Sequence, residues 1–139
     1  ITEFGSLNTT SGGESSRYSL SGKWSRDAAA GQFTATAYAI AYEMELWSDF
    51  TYFVEADTDQ FNQVDDRMIY GWDISWTRTD DWGGIEASST FGSQMRYDDI
   101  DTVGIYHTEA RRRNGVFRVD SVDEWSTGLY WRNELRWPH

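Results

Sequence analysis

Along the last part of the chain, Trp125, Thr127, Leu129, Trp131, Asn133, Leu135 and Trp137 share one parity. Glu124, Ser126, Gly128, Tyr130, Arg132, Glu134 and Arg136 share the other. A period of two is the signature of a β-strand with one mostly apolar and one polar side. The same pattern recurs upstream. Tyr18, Leu20, Gly22 and Trp24 oppose Arg17, Ser19, Ser21, Lys23 and Ser25; Met68, Tyr70, Trp72, Ile74 and Trp76 oppose Ile69, Gly71, Asp73, Ser75 and Thr77. Ile85, Ala87, Phe91, Met95 and Tyr97 oppose Glu86, Ser88, Thr90, Gly92, Gln94 and Arg96. In the second segment Tyr38, Ile40, Tyr42, Met44 and Leu46 oppose alanines and glutamates. Those alanines and glutamates also suit a helix, but helical spacing scatters the five large residues around a cylinder, whereas strand spacing collects them on one side.

The pattern therefore predicts an all-β, antiparallel meander of five strands, near residues 17–25, 32–47, 67–78, 85–97 and 123–137. Turns at 26–31 and at 78–84, with Asp80-Asp81 and Gly83-Gly84, are short. The stretches 48–66 and 98–122 read as long loops, the second with strand extensions and a tip at Arg113-Asn114-Gly115, because Asn-Gly favours a hairpin turn. Connections thus alternate short, long, short, long. Outer-membrane barrels have short turns on one side and long loops on the other, and a crossing takes about 9–11 tilted residues. In that orientation Trp24, Trp76, Trp82 and Trp137 mark the inner boundary and Trp47, Tyr97 and Trp125 the outer one. The sides carrying Tyr38 to Leu46 and Trp125 to Trp137 are the ones expected to touch hydrocarbon. Five strands cannot close a bacterial barrel, which uses an even number from eight upward, so the sheet is expected to be part of one, the alternative being that its edges join in an oligomer.

Composition sharpens this picture. The chain has 139 residues, a net charge of −11, no cysteine, eight tryptophans and eight tyrosines. So many aromatic residues are incompatible with an acidic disordered chain. No apolar run is long enough for a membrane helix, so any crossing uses strands. Absent cysteines exclude disulfide and zinc-thiolate frameworks. Phosphate binding needs clustered basic residues, and the only cluster is Arg111-Arg112-Arg113, so nucleic acid is not an expected partner. Residues 1–16 have neither a basic start nor an apolar core and do not read as a signal peptide.

Candidate chemistry is sparse. A glycosidase pair among Glu43, Glu45, Asp73, Glu86, Glu124 and Glu134 is weighed against carboxylates that line a wet lumen and pair with Lys23, Arg96, Arg132 and Arg136. The second reading is preferred, and no catalytic residue is assigned. The aspartates at 57 and 59, and at 98, 99 and 101, lack the spacing and glycine of a calcium loop. With only His107 and His139 no histidine metal site is available, so neither metal nor cofactor is expected. The ligand-facing candidates are Phe50, Tyr52, Phe53, Phe61 and Tyr106, which suit a flat ligand, and Arg111, Arg112 and Arg113, which suit lipopolysaccharide phosphates or an anionic ligand.

One resemblance adds to these readings. Glu45-Leu46-Trp47-Ser48-Asp49-Phe50-Thr51-Tyr52-Phe53, then Asp59-Gln60-Phe61 and Asp65-Asp66-Arg67, resemble a strand-loop-strand passage in the barrel of TonB-dependent outer-membrane receptors. Gly92, Gln94-Met95-Arg96-Tyr97-Asp98-Asp99-Ile100, Val103-Gly104-Ile105-Tyr106-His107-Thr108 with Ala110-Arg111, and finally Gly128-Leu129-Tyr130, Asn133-Glu134 and Arg136-Trp137 are similar to successive later segments. The likeness implies part of a barrel of about 22 strands that imports siderophore-iron, cobalamin or similar scarce nutrients across the bacterial outer membrane. It implies TonB as partner through a plug domain, of which residues 1–139 show no counterpart. The rival from another class is a soluble, aromatic-rich β-sandwich that binds carbohydrate, which calls for two inward faces filling one core.

Overall fold

A computed structural model describes residues 9–49 and 60–137. They form β1 (Gly12–Ala28), β2 (Gly31–Asp49), β3 (Gln60–Asp81), β4 (Glu86–Glu109) and β5 (Arg112–Arg136). The strands pair in chain order as one open antiparallel sheet, a meander with β1 and β5 at its edges. The second segment is strand and not helix.

The strands hold 17 to 25 residues, and all but β2 are much longer than expected. The expected outer loop 98–122 is a correction: β4 and β5 continue as a hairpin to a two-residue turn at Ala110 and Arg111, with φ of 47° and 66°. Two successive positive φ values are what a tight hairpin turn requires. Asn114-Gly115, the expected tip, lies inside β5. Of 48–66, Ser48 and Asp49 complete β2 and residues 60–66 open β3; Phe50, Tyr52 and Phe53 lie outside the described residues. The short connections are as expected. Ala29-Ala30 joins β1 to β2, and Trp82–Ile85 joins β3 to β4, closed by Trp82 N–H donating to the Ile85 carbonyl at 2.9 Å, with Gly83 and Gly84 at positive φ.

The fold divides into two compact units, one from Ile1–Tyr18, Ile40–Met68 and Asp98–Asp123, the other from Ser19–Ala39, Ile69–Tyr97 and Glu124–His139. In the second unit, two aromatic tiers cross neighbouring strands on one face. Tyr70, Tyr97 and Trp125 contact in sequence at 6.3 and 5.0 Å; Trp76, Phe91 and Trp131 stack at 6.4 and 5.7 Å. Ring pairs of this kind contribute about 0.5–1.5 kcal/mol each beyond burial. On the other face Tyr38 lies over Gly71 and Tyr130 over Gly92, and the Tyr130 hydroxyl donates to Asp73 at 3.2 Å. Glycine weakens a strand because it packs nothing, and a ring laid across it from the neighbouring strand restores the packing.

This arrangement corrects one expectation. Tyr38 and Trp131 do not share a face: Tyr38 goes with Gly71, Asp73 and Tyr130, and Tyr130 and Trp131 are consecutive. The apolar face of β2 is instead formed by Phe33, against Trp24 at 5.6 Å, and by the alanines that share its parity. The reason is local fit, because Gly71 leaves room for the Tyr38 ring on the polar side.

The apolar face of this unit has no covering layer among the described residues: Leu129 is 84% exposed and Trp131 66%. Across all the described residues the only buried apolar side chains are Ala87 and Ile100. Six polar ones (Asp49, Gln60, Asn62, Thr90, Asp98 and Thr108) are buried, the reverse of the usual order for a water-soluble domain.

Candidate functional site

The first unit carries the ends of the long hairpins, and a different logic holds them. Asn62, fully buried in β3, donates to Glu45 Oε1 of β2 at 3.1 Å and accepts from Arg113 Nε of β5 at 2.9 Å. Arg113 also pairs with Glu45 at 3.1 Å and lies 4.0 Å over the Tyr106 ring. Glu45 and Arg113 thus satisfy a buried amide that would otherwise cost about 1–3 kcal/mol.

A second network fixes the turn. Gln60 donates to Thr10 Oγ1 at 2.9 Å and its Oε1 accepts the Arg111 backbone N–H at 2.9 Å, while Thr108, also buried, donates to the Gln60 carbonyl at 3.2 Å. Arg111 Nε donates to the Thr10 carbonyl at 2.8 Å, and its guanidinium sits 4.6 Å over Trp47. Non-glycine residues at positive φ cost about 1–3 kcal/mol each where surroundings must impose the conformation. Here the surroundings are these hydrogen bonds and the Trp47 ring.

The expected anion cluster is therefore separated by role. Arg111 and Arg113 are engaged in holding the hairpin, Arg113 beside the single carboxylate of Glu45, and Tyr106 is covered by Arg113. The Arg112 side chain makes no hydrogen bond or ion pair among the described residues. Trp47, expected in an outer boundary ring, belongs with Arg111 in this network.

Phe61, the remaining expected ligand residue, stands in a different group. Its ring contacts His107 at 4.8 Å and Phe117 at 6.3 Å, and His107 meets Phe117 at 5.6 Å. Beside this triad is a cavity of ≈ 370 Å³ lined by Met44, Val103, Ile105, Phe117 and neighbours. His107 and Phe117 were not singled out in sequence, because their alternation is broken. Tyr70 meets Tyr97, an even position against an odd one, yet Phe61 meets His107, odd against odd. One residue in the β3–β4 pairing is therefore extra, as in a β-bulge. A second break falls in β5, where Arg113 meets Tyr106 but Phe117 meets His107; Asn114-Gly115 lies at that break.

A larger cavity of ≈ 530 Å³ is lined by Glu14, Glu43, Glu45, Asp66, Tyr106 and Arg113, among others. Asp65 pairs with Arg67, and that hydrogen bond raises the Arg67 pKa above its ordinary value. In the second unit Glu86 meets Arg136 at 3.4 Å, the cross-strand pairing expected of lumen charges, and Arg136 also pairs with Glu134 at 2.8 Å. No group of three or more potential metal ligands occurs among the described residues. Comparison with protein-family models, with curated proteins and with solved structures returns no match.

Proposed function

We propose that the chain is part of the barrel wall of an outer-membrane TonB-dependent receptor, a transporter and not an enzyme, for siderophore-iron, cobalamin or a similarly scarce nutrient. The observation that carries this reading is the spacing of aromatic residues on the uncovered face. Tyr70 and Trp82, and likewise Trp125 and Trp137, are twelve residues apart, with Trp76 and Trp131 halfway. At about 3.3 Å per residue and a tilt of 35–45°, twelve residues rise about 28–32 Å, close to the apolar thickness of a bilayer. Boundary aromatics would then be Tyr70, Tyr97 and Trp125 outside and Trp82 and Trp137 inside. The stacked tier Trp76, Phe91 and Trp131 would lie near the midplane. The residues beyond Tyr70 and Trp125 in β3 and β5, together with the β4–β5 hairpin, would extend outside the lipid and take part in capturing the ligand. Arg112 would be the residue of the cluster that meets lipopolysaccharide phosphates. Plug and TonB contact would come from sequence outside residues 1–139.

The apolar face exposed on one layer also supports this reading over the soluble carbohydrate-binding sandwich, whose two inward faces have no counterpart among the described strands. Two experiments test it. The chain mixed with lipid vesicles should float with them through a density gradient and resist alkaline extraction; a monodisperse chain in plain buffer that stays with the aqueous fractions overturns the membrane part. Deleting the reading frame should stop growth when iron or cobalamin is supplied only as a scarce complex, with rescue by excess free nutrient. Unchanged growth on every such complex overturns the transport part.

A further inference from the structure

We infer that the free edge of β5 docks the next strand of the wall, and that the side chains at this edge specify it. The docked strand comes from sequence outside residues 1–139 and runs antiparallel to β5. It sets a hydrogen-bonding side chain such as serine opposite Asn133 and, immediately after it, an acid opposite Arg132. The barrel-wall reading, on which this rests, requires such a neighbour; Asn133 and Arg132 supply its chemistry.

β5 pairs with β4 on one side, and no described strand pairs with it on the other. In hydrocarbon the backbone groups of an open edge have no water to bond, so a second neighbour is needed there. A second copy of the chain is a poor candidate. In a five-strand meander β1 and β5 run in the same direction, so either edge of a copy in the same membrane orientation would meet β5 in parallel. Bacterial single-chain walls are antiparallel.

The apolar face shows what the neighbour must offer. The outward positions from Leu20 to Trp24 in β1, Phe33 to Ala39 in β2 and Tyr70 to Trp76 in β3 carry no serine, threonine, asparagine or glutamine, whereas β4 and β5 bring Ser89, Ser93, Thr127 and Asn133. Ser89 donates to Asn133 Oδ1 at 2.7 Å, beside the stacked rings of Phe91 and Trp131. That bond turns the amide oxygen toward β4. The amino group, on the other branch of the same planar amide, is directed away from Ser89 and has no partner among the described residues. Asn133 lies four residues from Trp137, about 9–11 Å inside the proposed boundary. At that depth neither water nor headgroups meet its N–H donors, and leaving them unmet is costly. A hydroxyl or amide directly across the free edge meets them.

The polar face points the same way. The pairing of Ser89 with Asn133 and of Phe91 with Trp131 sets Thr90 opposite Arg132. Thr90 is buried and bonded to Thr77 at 2.9 Å, so β4 offers Arg132 no acid there. Tyr130 and Arg136, on the same face of β5, reach back to Asp73 and Glu86. The Arg132 side chain makes no hydrogen bond or ion pair among the described residues. An acid across the free edge pairs with it as Glu86 pairs with Arg136.

The test is binding of labelled twelve-residue peptides to the chain in detergent, read by fluorescence anisotropy. The peptides alternate leucine and threonine, with Ser-Glu, Leu-Glu or Ser-Lys at the centre. Ser-Glu should bind tightest. Leu-Glu should be about threefold to tenfold weaker, the range for a side-chain hydrogen bond in a membrane, and Ser-Lys about threefold weaker. Asn133→Leu should remove the preference for serine, and Arg132→Glu should turn the charge preference toward Ser-Lys. Circular dichroism of each variant confirms that the sheet is retained. Because the chain has no cysteine, disulfide trapping reads the direction. A cysteine at the peptide's C-terminus should trap with Thr127→Cys, six residues before Asn133, and one at its N-terminus should not. Equal affinity for Ser-Glu and Leu-Glu, an unchanged preference in Asn133→Leu, or trapping from the N-terminus overturns the assignment. So does a concentration-dependent dimer that Asn133→Leu dissolves, since the edge would then serve a second copy. Peptide preference in a chain that does not float with vesicles upholds the edge and overturns the membrane reading; flotation without preference does the reverse.

Discussion

Leu129→Arg separates a lipid-facing wall from a water-facing sheet most sharply, because the two environments assign it opposite costs. Leu129 is 84% exposed and shares its face with Trp125 and Trp131. In water, replacing so exposed a side chain changes stability by about 0.5 kcal/mol or less. In a bilayer the depth sets the cost. Leu129 lies four residues from Trp125 and eight from Trp137, so about a third of the way across a belt whose midplane penalty for arginine is about 2–4 kcal/mol. A loss of about 2 kcal/mol is expected, near a thirtyfold shift in the folding equilibrium. Ser126→Arg, on the charged face with Glu124 and Arg132, should cost less than about 0.5 kcal/mol. Denaturant titration of folding into vesicles, with wild type and both variants side by side, reads the difference. If Leu129→Arg and Ser126→Arg fall within about 0.5 kcal/mol of each other, the assignment of faces is refuted.

Other outcomes follow from the same coordinates. Gly92→Val and Gly71→Val should each displace the tyrosine ring laid over the glycine and lose about 1–3 kcal/mol by overpacking, read as a lowered denaturation midpoint. Asn62→Leu strands Glu45 and Arg113 beside an apolar group, and a loss of about 1–3 kcal/mol is expected, with little change in Arg112→Ala. Replacing Ala110-Arg111 by Asn-Gly should relax the turn but remove the Thr10 and Trp47 contacts. Ala110→Gly alone should therefore raise stability by up to about 1 kcal/mol, while Arg111→Gly should lower it, both checked by thermal unfolding.

Period-two alternation located all five strands and their order, because in this chain the alternating residues are large and consecutive, as at 125–137. Strand ends were less legible. The stretch 98–122 looks like a loop because its alternation slips by a residue and because Asn114-Gly115 imitates a turn, whereas the real turn is made of Ala110 and Arg111, held from outside by Gln60, Thr10 and Trp47. No local signal in Ala-Arg announces positive φ. Face assignment in β2 failed for a related reason. Alternation says which residues go together, not which side they take, and Tyr38 was placed by a glycine 33 positions away. Of the candidate ligand residues, Phe61 found aromatic company, but His107 and Phe117 were invisible until pairing brought them together, and Arg111 and Arg113 proved to be engaged in the hairpin.

The central claim is that the face carrying Trp125, Trp131 and Trp137 touches lipid. Depth-dependent fluorescence quenching tests it most directly, using variants that keep one of these tryptophans and replace the other tryptophans with phenylalanine, in vesicles with bromine at defined acyl-chain positions. Trp131 should be quenched best by bromine near the chain ends, and Trp125 and Trp137 best by bromine near the headgroups. Equal, weak quenching of all three by every brominated lipid, with strong quenching by aqueous iodide, would contradict the account.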